Sequence, residues 1–138
     1  RAFEQIRETG KVKLFKSYRD DYNDGEQKRD FLYVKDAVDM VMFLFENRHY
    51  GLFNVGSGHA QTWNSLAEAA FSAMEMEPDI EYIEMPEDLI DRYQYFTEAE
   101  MSKIKKFGYD VELTSIQDAM KDYYQNYLIP GKYLDASG

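Results

Sequence analysis

The chain has 138 residues, 44% of them hydrophobic with 12 Tyr and 9 Phe, and a formal net charge of −10: one domain's worth of sequence with enough apolar surface for a core. Such acidity repels phosphates and argues against nucleic acid or an anionic membrane surface as partner. With no cysteine, two isolated histidines (His49 and His59), no apolar run of about 18 residues and no signal-peptide pattern, disulfides, a Cys/His metal centre, a membrane span and secretion find no support.

The opening "RAFEQIRETG" reads as the tail of a helix already under way, with Ala2, Phe3 and Ile6 on one face and Gly10 as its stop. No N-cap precedes Arg1, so the chain is expected to be a piece of something longer. "VKLF" at 12–15 suits a short strand. The polar run "KSYRDDYNDGEQKR" carries a turn signal at Asn23-Asp24-Gly25. "FLYV" at 31–34 predicts a buried strand. Asp36 is then the expected cap of a helix over 37–47, apolar all round and so expected to be buried on more than one side.

"LFNV" at 52–55 predicts another strand, followed by "GSG". Thr62 should cap a helix whose Trp63, Leu66, Ala67, Ala70, Phe71 and Met74 share one face. "IEYIE" at 80–84 alternates as a half-exposed strand. "TEAEMSKIKKFG" at 97–108 has a complete helix signature: a Thr97/Glu100 capping box, an apolar Met101-Ile104-Phe107 face, lysines at the end and Gly108 as stop. A last helix is expected over Ser115–Tyr127, with Ile116, Ala119, Met120, Tyr123 and Tyr127 inward, before Pro130-Gly131 and a frayed tail. Alternating strands and helices make the class α/β, though about four short strands are few for a complete doubly wound domain.

Candidate chemistry is sparse. Gly56-x-Gly58 between strand and helix has the setting of a dinucleotide fingerprint but lacks the third glycine, because Gln61 stands there; a structural turn is favoured over a phosphate cradle. No G-x-S-x-G, H-E-x-x-H, Walker A or Tyr-x-x-x-Lys pattern occurs. Arg29, beside the predicted buried strand, is either paired with Asp30 or Asp36 or aimed as a fork at a diphosphate. Lys16 could add charge to the same spot if strands 12–15 and 31–34 pair. Tyr93 either packs in the core or offers its hydroxyl to a ligand.

"RDFLYVKDAVDMVMFLFEN" followed by "GLFNVGSG" and a Thr-capped helix resembles the C-terminal half of the extended short-chain dehydrogenase/reductases, the nucleotide-sugar epimerases and dehydratases. "DRYQYFTEAEMSKIKKFGYD" and "KLFKSYRDDYNDGEQKRDF" are similar to the ADP-L-glycero-D-manno-heptose 6-epimerases, the second to their long-loop bacterial members. The resemblance covers about residues 1–127. It implies an α/β fold made of a substrate-binding subdomain plus late Rossmann strand and helix elements. Residues 1–128 would then be the C-terminal substrate-binding portion and 129–138 a flexible tail. It further implies a cytoplasmic enzyme of lipopolysaccharide core synthesis that inverts C6″ of an ADP-heptose with tightly held NADP. A homo-oligomer and an N-terminal Rossmann half carrying the Gly-rich loop and the catalytic Tyr/Lys pair are also implied. By position, substrate contacts fall on Phe15, Lys16, Ser17, Tyr18, Arg29 and Tyr93. A further family contact, usually a His, aligns with Arg1, where this sequence departs. No catalytic or cofactor-binding residue is expected in these 138. The rival readings are a UDP- or dTDP-sugar epimerase or dehydratase and a non-catalytic α/β binding module.

Overall fold

The computed structural model describes residues 1–132. Helix α1, Ala2–Thr9, buries Phe3 and Ile6 and ends at Gly10, whose N–H reaches the Ile6 carbonyl. It leads into β1, Val12–Phe15, which pairs in parallel with β4, Ile80–Ile83, in the register Val12↔Ile80 to Phe15↔Ile83. The Lys16 N–H continues this ladder onto the Ile83 carbonyl at 2.9 Å. Helix α3, Trp63–Ala73, fills the space between with Ala67, Ala70 and Phe71, and packs chiefly against α6, Ile116–Tyr123. Four of its alanines are buried, and of these Ala67, Ala70 and Ala73 face the core. Both helices start as expected. Thr62 Oγ1 accepts from Ser65 N at 3.0 Å, and Ser115 Oγ from Asp118 N at 3.1 Å. Phe3, Ile6, Val12, Phe71 and Tyr124 form one core with these alanines.

A second, smaller core of Met40, Met101, Ile104 and Tyr109 lies under α2, Val34–Glu46, and the short α5, Ser102–Lys106. A four-residue helix, α4, Glu87–Ile90, follows β4. Beyond α6 the chain continues as a π-helical turn, Tyr124–Leu128.

Several expectations are corrected. The strand predicted at 31–34 sits three residues earlier: β2 is Lys28–Asp30, antiparallel to β3, Ala60–Thr62. Accordingly β1 and β2 do not pair. Val34 already begins α2, whose cap position is Tyr33 and not Asp36. Asp36 instead accepts from the Thr114 N–H and hydroxyl at 2.9 and 2.8 Å. Residues 52–55 form no strand. The predicted helix over 97–108 shrinks to Ser102–Lys106. Thr97 spends its N–H on the Lys28 carbonyl and Glu100 accepts from Ser102 N, so the capping box does not form. Tyr123 and Tyr127 face outward. Of the predicted tail, Gly131 and Lys132 still donate to Leu128 and Tyr127 carbonyls; residues 133–138 lie outside the described residues.

Helix α2 is not buried on every side. Only Met40 is fully enclosed, while Val34, Val38, Val41, Met42 and Phe45 (76% exposed) share an outer face, and Leu52 nearby is 87% exposed. Apolar patches of this kind drive association in water. The 138-residue chain is expected to self-associate, and Phe45→Ser with Leu52→Ser to shift it toward monomer in sedimentation velocity. A monodisperse, cooperatively melting wild-type monomer would contradict this.

Candidate functional site

The parallel pair β1–β4 places the carboxyl ends of two strands side by side, the usual location of ligand sites in α/β folds. The residues leaving β1 are held there one by one. The Gln27 amide, buried to 1% exposure, donates to the Phe15 and Lys16 carbonyls at 3.4 and 3.3 Å. Ser17 N donates to Asp24 Oδ1 at 2.6 Å, and Tyr18 N to the Tyr95 hydroxyl at 2.8 Å. The long loop closing over them is itself pinned. Asn64 of α3 donates from its backbone N to the Gly25 carbonyl and from its side chain to the Asp24 carbonyl. A Cβ on Gly25 would lie 1.9 Å from Asn64 Oδ1, so only glycine lets the loop approach so closely.

Three of the predicted residues meet through their side chains. The Arg29 guanidinium lies 5.1 Å over the Tyr93 ring, and Phe15 meets the same ring edge-on at 6.3 Å. Arg29 is half-buried and, among the described residues, makes no ion pair; its single hydrogen bond goes to the neighbouring Lys28 carbonyl at 2.8 Å. Of the two alternatives for Arg29, the pairing with Asp30 or Asp36 does not occur among the described residues. Tyr93 both packs and remains partly open. Ser17 and Tyr18 join the group through their backbones. The Lys16 ammonium and the Tyr18 hydroxyl instead both meet the Glu84 carboxylate. Those hydrogen bonds, reinforced by charge, lower the Glu84 pKa and raise those of Lys16 and Tyr18. The charge of Lys16 is therefore not pooled with that of Arg29.

Asp30, next to Arg29 in β2, has a different task. Its carboxylate accepts from Ser57 N and Oγ at 2.6 Å each, from Gly58 N at 3.0 Å and from Ala99 N at 2.8 Å. The glycine-rich turn is thus an anion nest already filled by the protein's own carboxylate. A Cβ on Gly56 would stand 2.3 Å from Ala99 Cβ and 2.9 Å from Asp30 Oδ2. This geometry agrees with the structural turn favoured from the sequence. Burial alone would push the Asp30 carboxyl up, but the hydrogen bonds from Ser57, Ala99 and Gly58 outweigh it and hold it below the ordinary value.

Sequence reasoning missed Tyr95, Gln27, Asp24 and Glu84. A signal existed for Tyr95, since residues i and i+2 of an extended segment share a face with Tyr93. None marked Glu84 among so many acids. None of the predicted contact residues lines the cavities of about 340 and 490 Å3, which border the Asp30 nest through Ser57 and Asp30 respectively and include Met40, His59 and Tyr109 in the first and Phe31, Tyr33 and Met120 in the second.

The NAD dependent epimerase/dehydratase family matches residues 1–56. Over 129 residues, 93% of the chain, the sequence is 48% identical to the ADP-L-glycero-D-manno-heptose-6-epimerase of Nitratidesulfovibrio vulgaris. The chain is thus similar, over most of its length, to members of this epimerase/dehydratase family. It spans about 40% of the length of the curated relatives it matches. The fold agrees. The Helicobacter pylori ADP-L-glycero-D-manno-heptose-6-epimerase superposes with a TM-score of 0.70 at 22% identity, over 91% of this chain and 35% of that one. The UDP-N-acetylglucosamine 4-epimerase of Methanobrevibacter ruminantium, in complex with UDP-N-acetylmuramic acid, gives 0.75 at 20% identity over 95% and 38%. The architecture is that of the extended short-chain dehydrogenases.

The Asp30 nest gives a pH-dependent expectation. The folded pKa of Asp30 lies below its unfolded value of about 3.9. Its stabilisation is complete above that value and is lost as pH falls through the folded pKa. Asp30→Asn would set an amide donor against the Gly58 or Ala99 N–H and cost about 2 kcal/mol at pH 7. Urea denaturation should show that loss shrinking as the pH falls below the unfolded value and the wild-type carboxylate also protonates.

Proposed function

We propose that residues 1–128 are the substrate-binding portion of an ADP-glycero-manno-heptose 6-epimerase, with 129–138 as a tail. The parent enzyme inverts C6″ by transient NADP-dependent oxidation, in the cytoplasm, for lipopolysaccharide core synthesis, and works as a homo-oligomer. The observation that carries this reading is Arg29: a half-buried guanidinium with no carboxylate partner among the described residues, laid over Tyr93 beside Phe15 at the carboxyl end of β1. In a protein of net charge −10 an unpaired fork there is suited to a diphosphate. The 48% identity to a heptose epimerase supports the choice of sugar nucleotide.

In this reading Arg29 grips the ADP diphosphate and Tyr93 hydrogen-bonds the nucleotide or sugar, while Phe15, Ser17 and Tyr18 shape the wall. Lys16 reaches the ligand only by exchanging Glu84 for it. These residues form one wall of a pocket, in keeping with a chain that spans 40% of its relatives. The family's description implies a nicotinamide cofactor. The residues present do not fit it, because the only Gly-x-Gly turn is closed by Asp30 and no Tyr-x-x-x-Lys pair occurs. The cofactor and the acid–base pair therefore belong to the remainder of the longer protein, and these 138 residues alone are expected to be inactive.

In the complete protein carrying this segment, Arg29→Ala should raise KM for ADP-heptose roughly 10- to 100-fold, the worth of a charge-assisted pair. An unchanged KM would remove the diphosphate role. A second reading, a UDP-linked sugar, is favoured by the fold match to a protein holding UDP-N-acetylmuramic acid. Calorimetry on the complete protein should show tighter binding of the ADP-sugar; preference for the UDP-sugar would replace the first reading by the second.

A further inference from the structure

Tyr95 stands where every part of the candidate wall meets. It is 7% exposed. Its hydroxyl accepts the Tyr18 N–H at 2.8 Å, and its ring packs edge-on against Tyr93 at 5.5 Å and tilted against Tyr22 at 5.3 Å. The Arg19 guanidinium, itself forked onto Asp21, covers the Tyr95 ring at 5.1 Å. Its backbone carbonyl receives the Lys28 N–H at 2.8 Å, one residue before Arg29. One residue thus ties together the strand exit at Tyr18, the ring under the Arg29 guanidinium, the long loop and β2.

We infer that Tyr95 is a positioning residue for sugar-nucleotide binding: its hydroxyl fixes the Tyr18 backbone, and its ring fixes Tyr93 beneath Arg29. The inference rests on the substrate-binding reading above. The two functions separate chemically. Phenylalanine keeps the ring contacts and removes only the acceptor for the Tyr18 amide. The other polar groups of the strand exit keep their own partners, Gln27 and Asp24, so the segment does not unfold when this one bond is lost. A wall that is no longer preorganised binds more weakly without changing the chemical step.

The test uses the complete protein carrying this segment, as wild type, Tyr95→Phe and Arg29→Ala. Tyr95→Phe should melt within a few degrees of wild type. Hydrogen–deuterium exchange in peptides covering residues 16–22 should accelerate about tenfold at Tyr18, since one protecting bond is gone. KM for ADP-heptose should rise roughly three- to tenfold, as expected for one neutral hydrogen bond, with kcat within about twofold. Unchanged exchange at Tyr18, or an unchanged KM, in Tyr95→Phe overturns the inference; so does a Tyr18 amide already unprotected in wild type. If Arg29→Ala raises KM while Tyr95→Phe does not, the inference falls and the substrate-binding reading stands. A wild-type protein that neither binds nor turns over ADP-heptose overturns both.

Discussion

The carboxylate of Asp30 is the constraint on which the rest of the site depends. Four donors from two distant segments, the turn at Ser57-Gly58 and the chain at Ala99, converge on it. An anion satisfied by so many hydrogen bonds, and held below its ordinary pKa by them, strongly resists displacement. It anchors the end of β2 and fixes that strand's facing. Consecutive strand residues point to opposite sides, so an Asp30 turned into the nest leaves Arg29 turned the other way, over Tyr93. An Arg-Asp dipeptide that could have been a local ion pair instead sends its two side chains to different partners.

The strand exit shows the same economy. Backbone groups leaving β1 would face partial burial without partners, which is costly. Gln27, Asp24 and Tyr95 satisfy them from two separate places in the sequence. The long loop that supplies two of these is in turn locked by Asn64 against Gly25. The strand exit is thereby held by side chains from outside it. Glu84 adds a counterweight. By holding both the Lys16 ammonium and the Tyr18 hydroxyl it keeps the second cation away from Arg29.

The apolar outer face of α2 has a different standing from the two cores. Phe71, Ile6 and Met40 are enclosed, whereas five apolar residues of α2 on one face are not. A helix so apolar is expected to be covered on more than one side. Among the described residues its apolar packing is against Met101, Ile104 and Tyr109.

The sequence alone determined the features written within a few neighbouring residues. These are α1 with its Gly10 stop, the strand at 12–15, the strand expected over 80–84 that ends at Ile83, the Thr62 cap with its helix, and the start of the last helix near Ser115. Each depends on i to i+4 relations that no distant contact overrode. The family motifs were legible in the same way; of the residues they named, Arg29 and Phe15 meet Tyr93, whereas the Lys16 and Tyr18 side chains turn to Glu84. Tertiary structure decided whatever depended on a partner far along the chain. "FLYV" has strand composition, but the ladder formed at Lys28–Asp30 because Ala60–Thr62 and the Tyr95–Thr97 segment lie there to receive it. The Thr97 capping box lost to long-range bonds, as the N–H groups of Thr97 and Ala99 went to Lys28 and Asp30. Whether Arg29 would pair with a neighbouring carboxylate could not be read locally, because the answer depended on Ser57, Gly58 and Ala99 claiming Asp30 first.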